Sequence, residues 1–162
     1  MKVFARYFTG TGNTERCLTI IADKLRGEGH SVDMKEFRFS SGDDIRDGNP
    51  DLAVFAFPML GFSPPQIFLR WVKRLPKVEG IPVVIVAVCG SLVVKGSVIN
   101  GYSGDATAVI ARALSRKGYS ALGTYEVSYP DNWTQTTNPP DEQNRKILYE
   151  SGDERALSVA CA

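Results

Sequence analysis

The residues best suited to chemistry are consecutive: Thr9, Gly10, Thr11, Gly12, Asn13 and Thr14. Every side chain in this stretch is small, so the backbone can close around an anion. Thr9, Thr11, Asn13 and Thr14 add hydroxyl and amide donors. The stretch follows an apolar run of β character at 3–8 and precedes a helical pattern starting near Glu15. A helix beginning there contributes unpaired N–H groups and about half a positive charge. With no Lys or Arg inside it, the loop reads as a phosphate cradle built of neutral donors. An ordinary glycine-rich turn is the plain alternative, but such a turn needs one glycine rather than this run of donors.

Spacing separates the known kinds of phosphate loop. The dinucleotide fingerprint G-x-G-x-x-G fits Gly10 and Gly12 but finds Glu15 where its third glycine should stand. The loop G-x-x-x-x-G-K-[ST] of nucleoside triphosphatases is absent from the sequence. A cysteine phosphatase places Arg six residues after its Cys, whereas Cys89 is followed there by Lys95, which lacks the bidentate fork.

The elements that must position this loop alternate along the chain. Runs at 3–8, 31–37 (SVDMKEF), 52–57 (LAVFAF), 81–88 (IPVVIVAV) and 125–129 read as strands. The second of these suits a sheet edge, and Pro130 stops the last. Between them, Cys17, Ile20, Ile21 and Leu25 fall at helical spacing on a helix that ends at Gly27 or Gly29. Residues 38–50 are polar and predict a long connection with at most one helical turn. Pro64 and Pro65 open a helix with Ile67, Phe68, Trp71, Val72 and Leu75 on one stripe. Ala106, Val109, Ile110, Ala113 and Leu114 mark the next, capped by Ser103 or Asp105. A last helix begins near Asp141, is interrupted around Gly152 and resumes over 156–160. Strands alternating with helices predict a parallel, doubly wound sheet covered on both faces, a three-layer α/β/α domain spanning 1–162.

Placed directly after the first strand, Thr-Gly-Thr-Gly-Asn-Thr-Glu at 9–15 closely resembles the FMN phosphate loop of flavodoxins. The resemblance implies five strands in the order 2-1-3-4-5, with ligand beyond the carboxyl ends of strands 1 and 3, where the winding reverses. It also implies that the loops after strands 3 and 4 face the flavin. The first holds Pro58, Met59, Leu60, Gly61 and Phe62, apolar residues ill suited to open solvent unless something flat covers them. Gly61 would let a peptide turn toward the flavin N5 hydrogen. This loop has no Trp, which the family often places there, so Met59, Leu60 or Phe62 must serve. Stapling the following helix is their alternative role. In the second loop, Cys89, Gly90 and Ser91 would approach the pyrimidine edge and Tyr102, before Gly104, would cover the outer face. Packing or surface roles remain open for Tyr102. Trp133, in the turn Pro130-Asp131-Asn132-Trp133, could stack on the flavin, meet a docked partner or clamp the last helix. That turn and the 57–65 loop also resemble the flavodoxin half of flavodoxin–ferredoxin fusion proteins, so the chain is a stand-alone domain or a piece of such a protein.

Composition bounds the rest. With 43% hydrophobic and 23% charged residues the chain is an ordinary globular domain. No apolar run approaches the ~20 residues of a membrane span, and no basic-then-apolar leader precedes the first strand, so a cytoplasmic protein is expected. Cys17, Cys89 and Cys161 are widely spaced, which encodes neither an iron–sulfur cluster nor a zinc site, and the first two read as small core residues. His30 is the only histidine, which excludes a His pair and leaves a surface role. A net charge of +1 excludes a strongly basic nucleic-acid footprint. It also departs from the many strongly acidic flavodoxins that dock on basic partners. The expected function is an FMN-binding electron carrier, monomeric and without a catalytic acid, base or nucleophile, serving redox partner proteins such as a ferredoxin or ferredoxin-like domain. The alternatives are an FMN-dependent NAD(P)H oxidoreductase acting on quinones or another small acceptor, and a binding domain that has lost its flavin.

Overall fold

A computed structural model describes residues 1–37, 45–133 and 139–162. In chain order its elements are β1 (Lys2–Tyr7), α1 (Asn13–Gly27), β2 (Ser31–Glu36), α2 (Ile45–Gly48), β3 (Leu52–Pro58), α3 (Gln66–Arg74), β4 (Pro82–Val94), β5 (Ser97–Asn100), α4 (Ala106–Ser115), β6 (Ser120–Pro130) and α5 (Glu142–Ala160). β2, β1, β3, β4 and β6 lie parallel in that order. The residue alternation of the central strands divides the core. Phe55, Phe57, Ile85 and Ala87 face Phe68, Trp71, Ile110 and Leu114 of α3 and α4. Val54, Ala56, Val86 and Val88 face Cys17, Leu18, Ile21, Ala156 and Val159 of α1 and α5. Each large apolar side chain so buried stabilises the fold by about 1.5–3 kcal/mol before conformational entropy is counted.

Among the described residues the sheet has six strands rather than five. β4 continues past 88 to Val94, and β5 folds back on it antiparallel, pairing Ser91 with Asn100 and Val94 with Ser97. The intervening Lys95 and Gly96 have φ of 50° and 79°, the two positive values that the tightest hairpin turn requires. Val-Val-Lys-Gly-Ser-Val is thus a hairpin in what reads by composition as loop. Ser91 pairs with Pro130 on one edge of β4 and Asn100 on the other, while β3 ends at Pro58 opposite Val88. The hairpin therefore extends β4 beyond the end of β3, at the carboxyl end of the sheet.

Several helix details depart from the periodic reading. α1 begins at Asn13 rather than near Glu15, and Leu18 joins Cys17, Ile21 and Leu25 in the core. On α3, Phe68, Trp71 and Val72 are buried as expected, but Ile67 faces outward at 44% exposure. Neither Asp105 nor Ser103 caps α4 through its side chain, because the Ser103 hydroxyl donates to Glu126 Oε1 instead. α5 runs unbroken through Gly152 from an Asp141 cap whose carboxylate accepts the Asn144 N–H at 2.8 Å. That glycine is a packing requirement, since a Cβ there would lie 2.6 Å from the Ser128 carbonyl oxygen. α2 supplies the single turn expected within 38–50, of which 38–44 lie outside the described residues. His30 is half-buried, its Nδ1 3.4 Å from the terminal amine. Cys17 and Cys89 are buried, and burial pushes both thiols up to about 12, as expected of inert core residues.

One buried charge went unnoticed in the sequence. Arg6, 1% exposed on β1, donates to the Ala5 and Asp33 carbonyls at 2.8 Å each and to Asp33 Oδ2 at 2.9 Å, with its guanidinium 3.7 Å from the Phe4 ring centroid. Partial burial pulls the Asp33 carboxyl upward, but hydrogen bonds from Arg6 and Lys35 outweigh it and hold the group below its ordinary value of 3.8. A lowered folded-state value means that the unfolded chain takes up the proton first. The contribution is therefore full above the ordinary value and lost as pH falls through the folded one. Asp33→Asn should flatten the acid limb of the stability curve below about pH 4, measured by urea unfolding across pH. An unchanged acid limb would mean that solvent screens the pair.

Candidate cofactor site at the carboxyl end of the sheet

The loop from β1 to α1 is stiffened from within. Gly12 has φ of 92° and occupies the N-cap position, where it has no side chain to cap the helix. Its own N–H donates to Thr9 Oγ1 at 2.9 Å. Helix geometry leaves the N–H groups of Asn13, Thr14 and Glu15 without an intrahelical acceptor. No atom lies within 4 Å of where a Cβ on Gly10 or Gly12 would stand, so open space adjoins the helix N-terminus. The polar side chains divide their labour in a way that the sequence did not reveal. Thr9 and Thr11 accept hydrogen bonds, from Gly12 N–H and from Asn132 Nδ2 at 2.6 Å, and retain hydroxyl hydrogens to donate. Asn13 is occupied at both ends, donating to the Pro130 carbonyl and accepting from Tyr149 Oη, both at 3.3 Å. Thr14 is buried. Glu15 accepts from Tyr7 Oη at 2.7 Å, and burial together with this bond pushes the Tyr7 phenol up to about 12.

The loop after β3 closes as a tight turn in which Leu60 and Ser63 exchange backbone hydrogen bonds at 3.0 and 3.2 Å. Both central residues are left-handed, Gly61 at φ 56° and Phe62 at φ 62°. The conformation is strained for a phenylalanine. Leu60 and Phe62 are held outward at 58% and 61% exposure, with Pro58 and Met59 half-buried below them.

Cys89, Gly90 and Ser91 belong to β4 rather than to a loop. Gly90 is packed by Asp131, whose Oδ1 would lie 2.8 Å from an added Cβ. The Ser91 hydroxyl is buried and has no hydrogen-bond partner. Tyr102 is 64% exposed, presented between Gly101, whose N–H donates to the Gly90 carbonyl at 2.7 Å, and Ser103, fastened to Glu126 through its N–H and hydroxyl. Gly104 has φ of 63° and lies against Phe62, where a Cβ would come within 2.7 Å of the carbonyl oxygen. Trp133 is exposed, its N–H donating to Asp131 Oδ1 at 3.2 Å.

These contacts join the segments into one surface. Asn132 and Pro130 tie the last loop to the first, Asp131 ties it to β4, and Gly104 joins the Tyr102 segment to Phe62. Leu60, Phe62, Tyr102 and Trp133 stand exposed around the carboxyl ends of β1, β3, β4 and β6. The sequence reading missed Asp131 and Asn132 as organisers of this surface. Their signal was present in Pro-Asp-Asn-Trp, whose polar members only acquire a role once β6 is set beside β4. A cavity of 530 Å³, lined by residues including Glu126, Ser128, Ser151 and Arg155, is mainly polar and has no aromatic or large aliphatic side chain in its wall.

In sequence alone, no protein-family model and no curated protein matches the chain. In structure its neighbours include flavodoxins and a flavodiiron core. Oxidised flavodoxin 2 from Bacillus cereus is similar at TM-score 0.65 and 16% identity, over 99% of this chain and 96% of that one. Two-electron-reduced Megasphaera elsdenii flavodoxin is similar at TM-score 0.61 and 21% identity, over 99% of both chains. The flavodiiron core of Flv1 from Synechocystis sp. PCC6803 is similar at TM-score 0.59 and 18% identity, over 99% of this chain but 36% of that longer one. The chain thus has a flavodoxin-like fold, an α/β architecture with a parallel sheet. No helix among the described residues is long and apolar enough to cross a membrane.

Proposed function

We propose that this chain binds FMN and carries electrons between redox partner proteins. The observation carrying this reading is the glycine-capped N-terminus of α1. It leaves donors facing open space at the carboxyl end of β1, where successive strands turn to opposite sides of the sheet. The surroundings fit the rest of the cofactor. The N–H groups of residues 13–15 and the hydroxyls of Thr9 and Thr11 would hold the phosphate. The backbone groups of Gly90 and Ser91 would lie near the polar edge of the ring system. Leu60, Phe62, Tyr102 and Trp133 would cover its faces. When bound, the flavin supplies the one- and two-electron chemistry, and the protein sets its potentials through the surrounding groups. Apolar cover would disfavour added negative charge, and the Leu60–Ser63 turn would offer backbone polar groups to the ring.

The test is a visible spectrum of the chain reconstituted with FMN and reduced stepwise without air. Two resolved one-electron steps are expected. Direct two-electron bleaching by NAD(P)H alone would favour the NAD(P)H oxidoreductase instead, and failure to retain any FMN would leave a binding domain. Tyr102→Ala should weaken FMN binding by about 1–3 kcal/mol, the range for aromatic stacking on a base, as read by flavin fluorescence titration. Unchanged affinity would assign Tyr102 to the surface.

A further inference from the structure

The charges of this chain are segregated although their sum is near zero. α3 and α4 pack side by side on one face of the sheet. With the turns that follow them, they carry Arg70, Lys73, Arg74, Lys77, Arg112, Arg116 and Lys117 against only Glu79 and Asp105, a local net charge of +5. The whole chain has 19 basic and 18 acidic side chains, so twelve and sixteen remain elsewhere, a net of −4. The opposite face neutralises part of its charge in pairs, Arg16–Asp153 at 2.6 Å, Lys24–Glu28 at 2.9 Å and Arg26–Asp23 at 2.9 Å. Its cations Arg145 and Arg155 are offset by Glu142 and Glu154 on the same helix. Among the described residues, Arg70, Lys73, Lys77, Arg112 and Arg116 are exposed and take part in no ion pair. Spacings of three and four residues set Arg70 beside Lys73 and Arg112 beside Arg116, so like charges repel along both helices, while Lys77 lies past the end of α3.

We propose that the α3/α4 face docks an acidic redox protein, and the proposal rests on the electron-carrier reading above. α3 starts directly after the Leu60–Ser63 turn and rises about 12 Å from Gln66 to Arg74. An interface of ordinary size, about 800 Å² per partner and hence roughly 30 Å across, would cover the cations and still reach the rim of the cofactor site. The outward Ile67 lies between the two, an apolar contact inside a charged border. A protein fits better than a membrane. The large apolar residues Phe68, Trp71 and Val72 of α3 point inward, and the outer face of α4 shows Ala108, Arg112 and Ser115. This leaves Ile67 as the one exposed large apolar side chain of the two helices, too little to anchor among lipid chains. Exposed positive charge on this face would steer an acidic partner toward it and orient it.

The experiment titrates the ¹⁵N-labelled, FMN-reconstituted chain with a plant-type ferredoxin, chosen as an acidic iron–sulfur protein, and with poly-L-glutamate. Amide resonances of α3 and α4 should respond to both, and the response should fade between ~50 and ~300 mM salt. The combined variant Arg70→Glu, Lys73→Glu, Arg112→Glu and Arg116→Glu should keep its circular dichroism and FMN affinity while losing at least about tenfold in ferredoxin affinity. No response in α3 or α4 to either probe, or an affinity untouched by the charge reversal, would overturn the proposal. So would tighter binding to duplex DNA or to phosphatidylserine vesicles at equal ionic strength. Bound FMN without the α3/α4 response would sink the docking face alone. A response without FMN binding would sink the electron-carrier reading alone.

Discussion

Gly12→Asp should abolish useful FMN binding while leaving the protein folded. The position projects into open space, so an aspartate side chain meets no atom within 4 Å at its Cβ. The cost to the fold is the left-handed backbone, φ 92°, worth about 1 kcal/mol for a residue other than glycine. The cost to binding is larger. A carboxylate about 5 Å from a phosphate of charge near −2 opposes it by several kcal/mol at an effective dielectric of about 20. Affinity should therefore fall by at least about a hundredfold, roughly 3 kcal/mol. Gly12→Asn separates the two effects, since asparagine tolerates the left-handed region without charge and should retain most of the binding. Flavin fluorescence titration of the three proteins decides the matter. Equal affinities would place the phosphate somewhere other than the N-terminus of α1.

Gly152→Ala should be the most damaging small substitution in the last helix, although alanine favours helix by about 1 kcal/mol. The added methyl would stand 2.6 Å from the Ser128 carbonyl oxygen and 2.7 Å from the Tyr129 ring. Neither neighbour can yield, because Ser128 lies in a paired strand and Tyr129 is fully buried. α5 would have to lift off β6, disturbing the Tyr129–Asp153 bond at 3.1 Å and the Arg16–Asp153 pair. A net loss of about 2–3 kcal/mol follows from overpacking of this kind. The melting temperature should fall by about 4–10 °C, given the usual scaling for a chain of this size. A melting temperature at or above that of the parent would show that α5 rides clear of the sheet.

Gly152 also illustrates where reading the chain alone stops. In one dimension a mid-helix glycine looks like a break, and only the closeness of β6 turns it into a point of contact. The same holds for Ser103, which suits a helix cap by type and position until Glu126 of β6 takes its hydroxyl. Ile67 matches the apolar stripe of α3 by spacing but falls outside the covered arc, because two prolines set the start of the helix and thereby its rotation. The β4–β5 hairpin was legible in principle from Lys-Gly between valines. Lysine is a poor marker of a left-handed turn, however, and the surrounding glycines suggested loop.

What the residues determine by themselves is local and periodic. Alternating apolar runs and helical stripes dictate a parallel α/β sheet, because segments apolar on both faces must be covered on both. The small polar run at 9–14 dictates an anion-binding turn wherever a strand feeds a helix through it. Tertiary structure decided what depends on distant partners: the sixth strand, the locking of Thr11 and Asn13 by the loop after β6, the buried Arg6 beside Asp33, and the gathering of exposed cations on α3 and α4. Each joins positions far apart in sequence, and no local pattern encodes which distant surface a side chain will meet.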